Sequence, residues 1–199
     1  PVSKYKLLRN PDEVSFEHAV NELGHILFVK PCREGSSIGI SKVKNAHEYS
    51  IALERAFSVG RKVLIEELVV GREIECSVLG NNFPEASSVL GEIIPKRDFY
   101  SYDAKYVDDD GAELIIPAKI DIQVSDEIIK TAKEAFLVTE CRGMARIDFF
   151  LRENGNFVLN EINTLPGFTK ISMFPKLWEA SGLPYSELLD RLIELALES

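Results

Sequence analysis

Residues 143–163 read GMARIDFFLRENGNFVLNEIN, and this stretch decides the fold class. Two apolar runs, 144–151 and 157–162, flank Asn154-Gly155. Asn-Gly between β-rich runs is a strong hairpin signal, because both positions of a tight two-residue turn need φ > 0. Such a turn sets Glu153 against Asn156. Counting outward, Asp148 then faces Glu161 and Arg146 faces Asn163. Like charges directly opposite on a sheet repel. The neighbouring strand residues are apolar, so the pair is expected out of open water with a cation between its carboxylates. A divalent metal shared with phosphates is one candidate. A solvated carboxylate pair at the hairpin's open end and a shared proton are the others. If the repulsion is uncompensated without ligand, Asp148→Asn should slightly stabilise the ligand-free fold.

Around this hairpin lie alternating helical and strand patterns. Residues 14–23 carry a short helical stripe after Pro11-Asp12, and 26–29 read as a buried strand ending at Lys30-Pro31. Asn45 and Glu48 form a capping-box pattern for a helix to about Val59, stopped by Gly60. Residues 62–68, 72–79, 86–94 and 113–117 read as strands. In 72–79, Ile74, Cys76 and Val78 share one face, while Glu73, Glu75 and Ser77 share the other. Glu66, Glu67, Glu73 and Glu75, taken alone, read as solvated charges. Ser125 is the expected cap of a helix over 126–139, with Ile128, Ile129, Ala132, Ala135 and Phe136 inward. Two helices, 173–180 and 185–198, close the chain. Together these elements give an α/β (α+β) protein with mixed or antiparallel sheets and flanking helices, divided near residues 68–71 into 1–68 and 69–199.

Two loops depart from this regularity. CREGSSIGI, residues 32–40, is Gly/Ser-rich and lies between strands; such loops present backbone N–H groups that bind phosphate, but also serve as plain hairpin loops. PKRDFYSYDAKYVDDDG, residues 95–111, is long, aromatic and charged. Ordered loops of that length commonly act as lids or binding loops. Its Asp108-Asp109-Asp110-Gly111 lacks the distal Glu of a calcium loop and reads as a polar turn.

The 199 residues carry 23 basic and 32 acidic side chains, net −9, which argues against nucleic acid as the partner. Cys32, Cys76 and Cys141 form neither a disulfide framework nor metal-ligand spacing, pointing to the reducing cytoplasm. His18, His25 and His47 are scattered and read as structural or surface residues. No apolar run is long enough to span a membrane. The opening Pro1-Val2 reads like the interior of a longer protein.

Six segments in order carry a family resemblance: KPCREGSSIG (30–39), IEEL (65–68), GRE (71–73), YDAKY (102–106), ARID (145–148) and NEINTLPG (160–167). With these the chain resembles the ATP-grasp superfamily and, within it, the D-alanine–D-alanine ligases. The resemblance implies an ATP-grasp fold with ATP between two subdomains and a cell-wall role: joining two D-alanine molecules through an acyl phosphate. It implies that Lys30 binds phosphates beneath a loop containing Gly35, Ser36 and Ser37, with Ser36 near the reacting centre. Glu66, Glu67 and Val69 would meet adenine, Glu73 the ribose, and Lys105 the γ-phosphate. Asp148, Glu161 and Asn163 would hold two Mg²⁺, or Mn²⁺ in their place. Arg146 and the Gly167 N–H would stabilise the oxyanion, while Leu165, Gly167 and Ser172 would hold the second substrate's carboxylate. Tyr106 resembles the residue of ligases taking an amino second substrate, D-alanine or D-serine; histidine there marks the D-lactate users. The family also has an amino-terminal domain supplying a carboxylate to the first D-alanine. Without it the chain is expected to be a poor ligase, its parent a cytoplasmic homodimer. The alternatives are another ATP-grasp carboxylate–amine ligase and a non-catalytic nucleotide-binding module.

Overall fold

The computed structural model describes residues 1–34, 38–95, 112–169 and 171–198. They form two compact units: residues 2–70, and residues 71–95 and 112–198 together with Pro1.

The first unit holds β1 (Tyr5–Leu8), α1 (Phe16–Leu23), β2 (Leu27–Pro31), β3 (Ser41–Val43), α2 (Ala46–Val59) and β4 (Val63–Glu67). Its strands form one antiparallel sheet in the order β1-β4-β2-β3. Strand alternation turns Leu8, Leu27, Val29, Val63 and Ile65 toward Ala19, Leu23, Leu53 and Ala56 of the helices. Each such large side chain contributes roughly 1.5–3 kcal/mol by leaving water. Lys30 and Glu66 lie on the opposite sheet face. Ser15 caps α1 by accepting from the His18 N–H, and Asn45 caps α2 by accepting from the Glu48 N–H. Glu48 reaches back one residue further than the capping-box pattern implies, to the Lys44 N–H at 2.7 Å. β1 has no clear sequence signature: it is a four-residue edge strand whose Tyr5 and Leu7 remain exposed.

The second unit is built on β5 (Arg72–Gly80), β6 (Glu85–Ala86), β7 (Gly91–Pro95), β8 (Ala112–Ile115), β9 (Gly143–Leu151) and β10 (Phe157–Asn163). Their order is β10-β9-β5-β7-β8, with β6 paired to β5, and every pairing is antiparallel. Helix α3 (Ile122–Val138) buries Ile128, Ala132 and Phe136 against Ile74, Cys76, Ala145, Ile147 and Phe149 on one sheet face. Helices α4 (Met173–Ala180) and α5 (Tyr185–Leu197) pack Phe174, Trp178, Leu188 and Leu195 around Leu79. The architecture is mixed α/β with antiparallel sheets, as expected.

Three local expectations change. Residues 86–94 are not one strand: Ser87 donates its N–H to the Ser77 carbonyl and accepts the Ser77 N–H at its hydroxyl, 2.8 and 3.2 Å. This side-chain bond replaces a ladder bond and breaks the strand. Helix α3 starts four residues early because Asp121, not Ser125, is its cap, accepting from the Gln123 N–H at 2.9 Å. The β9–β10 turn is not a two-residue turn. The Gly155 N–H donates to the Arg152 carbonyl, the Arg152 N–H donates to the Asn156 carbonyl, and Gly155 has φ +82° while Asn154 does not enter the positive-φ region. This is a three-residue loop closed by a left-handed glycine.

Candidate active site

The three-residue loop offsets the hairpin by one residue from the simple count, pairing Phe157 with Leu151 and Leu159 with Phe149. A β-bulge at Asn160, between Leu159 and Glu161, then restores the count, so Asp148 does face Glu161 and Arg146 does face Asn163. Strand β5 extends the rungs on the other side: Glu75 faces Asp148 and Ser77 faces Arg146. One sheet face thus carries Glu75-Asp148-Glu161 across three strands, with Ser77-Arg146-Asn163 as the next rung. The Ser77 hydroxyl donates to the Phe174 carbonyl at 3.2 Å, fixing the start of α4 over the same face.

Arg146 organises these groups. Its Nε and Nη2 donate to Asp148 Oδ1 and Oδ2, both at 2.8 Å, and Nε lies 3.1 Å from Glu75 Oε2. Asn163 Nδ2 donates to Asp148 at 2.9 Å and to Glu161 at 3.2 Å. Glu75 is 4% exposed, Asp148 is largely buried, and Glu161 is exposed. Burial opposes the charge on Arg146. The fields of Asp148, Glu75 and Glu161, with the Asp148 hydrogen bonds, outweigh that and hold its pKa above the ordinary arginine value. The cation expected beside Asp148 is therefore present in the chain itself. Uncompensated repulsion between Asp148 and Glu161 does not describe this structure, and the stabilisation expected of Asp148→Asn no longer follows.

In the first unit, Lys30 Nζ and Glu66 Oε2 pair at 2.7 Å, both side chains largely buried. They sit on the same face because Phe28 faces Glu66 and Lys30 faces Leu64 in the β2–β4 ladder. Glu67 accepts the Lys4 N–H at 3.1 Å, and Val69 is half-buried just after β4. In the second unit, Glu73 lies on the Glu75 face, directly opposite Phe150. Leu165 is exposed, and Gly167 lies against Ser172, whose Oγ would stand 2.9 Å from an added Cβ. The Ser172 hydroxyl accepts the Thr169 N–H at 3.0 Å and shares a 2.9 Å bond with the Thr169 hydroxyl. Gly35, Ser36, Ser37, Lys105 and Tyr106 lie outside the described residues.

The family model described as D-ala D-ala ligase C-terminus matches residues 1–194. The chain belongs to this family. A D-alanine–D-alanine ligase of Shouchella clausii is 53% identical over 187 residues, spanning 94% of this chain and 50% of that protein. Among solved structures, D-alanyl-alanine synthetase A of Vibrio cholerae aligns at TM-score 0.86 and 35% identity, over 100% of this chain and 61% of that one. The VanG D-Ala:D-Ser ligase of Enterococcus faecalis aligns at TM-score 0.82 and 35% identity, over 98% and 56%. The chain spans about half the length of the curated relatives it matches.

The polar rungs present oxygen donors of the kind a divalent cation takes. Asp148, Glu161 and Asn163 offer the hard oxygens that Mg²⁺ prefers. Glu75, Asp148 and Glu161 against Arg146 leave the cluster at −3 + 1 = −2. That charge matches a divalent cation. Among the described residues no group of three or more His, Cys, Asp or Glu side chains is preformed for a metal, and both Asp148 oxygens accept from Arg146. A cation taking both Asp148 oxygens would displace Arg146 from one or both of them. Glu75 is the site-face residue that the sequence reading missed. Strand alternation placed it beside Glu73, but its burial follows from the β5–β9 register, which pairs residues about seventy apart with no turn between them to fix it.

Proposed function

We propose that the protein is an ATP-dependent ligase that joins two D-alanine molecules for peptidoglycan precursor synthesis, acting in the cytoplasm as a homodimer. The observation that carries the reading is the Arg146–Asp148–Glu161–Asn163 arrangement on one sheet face of a chain in the D-alanine–D-alanine ligase family. The chemistry fits these groups. A D-alanine carboxylate attacks the γ-phosphorus of ATP and ADP leaves, giving an acyl phosphate. The amine of a second D-alanine then attacks the acyl carbon, and phosphate leaves from the tetrahedral intermediate.

Phosphoryl transfer depends mainly on positioning and charge neutralisation. Lys30 and Lys105 bind phosphate oxygens, Lys30 by leaving Glu66. Gly35, Ser36 and Ser37 cover them. Glu66, Glu67 and Val69 meet the adenine, and Glu73 the ribose. Asp148, Glu161 and Asn163 hold two Mg²⁺, or Mn²⁺, which when bound neutralise the triphosphate. Arg146 and the Gly167 N–H stabilise the oxyanion. Leu165, Gly167 and Ser172 hold the carboxylate of the second substrate, and Tyr106 favours one with an amine.

Phosphate release by the full-length protein with ATP and D-alanine, D-serine or D-lactate tests the reading. Turnover with D-alanine is expected. D-Serine as the better second substrate would favour the second reading, a D-Ala–D-Ser ligase, for which the likeness to VanG speaks. Turnover with D-lactate alone would overturn the role given to Tyr106, and no turnover with any of them would overturn the ligase reading.

A further inference from the structure

We propose that Glu75 is a positioning residue that keeps the Arg146 guanidinium in place while Asp148 passes from that guanidinium to a divalent cation. The inference rests on the metal reading above. The Arg146 fork takes one lone pair on each Asp148 oxygen and Asn163 takes a second on Oδ2, so a cation held by both oxygens displaces the guanidinium. When Asp148 turns to a cation, a guanidinium whose side chain is only 20% exposed loses its bidentate partner. A buried charge left without its counterion is strongly destabilised. Glu75 Oε2 already lies 3.1 Å from the same Nε that donates to Asp148. The Nε–H can therefore change acceptor with a small rotation, and Arg146 stays on the site face.

Charge and burial support the same assignment. With a single divalent cation and no nucleotide, the state the test below reads, three carboxylates, one guanidinium and a 2+ ion sum to zero; without Glu75 the sum is +1. Glu75 is buried at the centre of the sheet, on the strand next to β9, where a carboxylate persists only when paired. A second Glu–Arg pair, buried Glu92 with the partly exposed Arg72, serves as an internal control. Glu92 faces Ile74 in the ladder, so it belongs to the α3 side of the sheet.

The test uses the 199-residue chain with Mn²⁺ for calorimetric titration and Mg²⁺ for NMR of the arginine Nε–H groups. Glu75→Gln is expected to weaken Mn²⁺ binding about tenfold or more, as loss of a residue orienting a ligand typically does. Glu92→Gln should lower stability and leave Mn²⁺ affinity unchanged. At Mg²⁺ saturation the Arg146 Nε–H should stay slow to exchange in the native chain and exchange rapidly in Glu75→Gln. Glu75→Asp, which keeps the charge, should recover affinity, and it stands in should Glu75→Gln not fold. Native Mn²⁺ affinity with native Nε–H exchange in Glu75→Gln, or an Asp variant no better than Gln, would overturn this inference alone. Mn²⁺ binding that is absent, or unchanged by Asp148→Asn, would overturn the metal reading and this inference with it.

Discussion

Replacing Asp148 by Asn in the ligand-free chain tests whether Arg146 or an external cation balances the site. Asp148 accepts two hydrogen bonds from Arg146 and one from Asn163. An amide keeps one acceptor oxygen and turns an NH₂ toward the guanidinium, so at least one bond to a charged group is lost. Such a bond is worth about 1.5–3 kcal/mol, and the misplaced donor adds roughly 1 more. Against this stands relief of repulsion with Glu161. Glu161 is exposed, so water screens it and the relief is at most about 1 kcal/mol. Glu75 remains to hold Arg146, which keeps the loss below the roughly 3–5 kcal/mol of a buried pair broken outright. The balance is a destabilisation of about 2 kcal/mol, or a Tm lower by roughly 4–8 °C for a chain of this size. Thermal unfolding in chelator-treated buffer, with the native chain alongside, measures it. An unchanged or raised Tm would refute the reasoning and restore the picture of two carboxylates in uncompensated repulsion.

Lys30→Ala should weaken ATP binding about tenfold to a hundredfold, the worth of one charge-assisted hydrogen bond. Nucleotide titration checks it, and native affinity would remove Lys30 from the phosphate site. Glu92 has its pKa lowered first by its hydrogen bonds to Arg72, against the effect of burial. A depressed carboxylate contributes stability above its unfolded pKa and loses it as pH falls through the folded one. Glu92→Gln should therefore cost stability at neutral pH and flatten the acid limb of a Tm-against-pH curve; a parallel curve would count against the pair. Gly155→Ala forces a side chain into φ +82° and should cost about 1–2 kcal/mol in chemical denaturation.

Much of the framework was legible because it depends on short-range chemistry. Asn45 and Gly60 bound α2, alternation placed β5, and the bounds of α4 agree residue for residue with the expected 173–180. What was not legible depends on distant partners. β1 is an edge strand defined by β4, some sixty residues on. The break at Ser87 requires Ser77 beside it; the Asp121 cap, by contrast, is local, accepting from the Gln123 N–H two residues on. Lys30 and Glu66 were each named for a nucleotide, but their 2.7 Å contact requires the β2–β4 register.

The hairpin shows how an outcome can agree with an expectation for a different physical reason. The two-residue turn was wrong by one residue, and the bulge at Asn160 is a second offset of one in the opposite sense. The agreement at Asp148–Glu161 is nonetheless constrained by the core. Leu159 and Ile162 must both point at α3, although they are three residues apart, and strict alternation cannot put them on one face. An extra residue between them resolves the conflict, and it sets Glu161 and Asn163 on the opposite face, beside Asp148 and Arg146. The apolar pattern of β10 thus requires the bulge that the turn geometry alone does not predict. The same requirement aligns the acidic and amide groups of the site, so packing against α3 and the chemistry of the other face are set by one residue, Asn160.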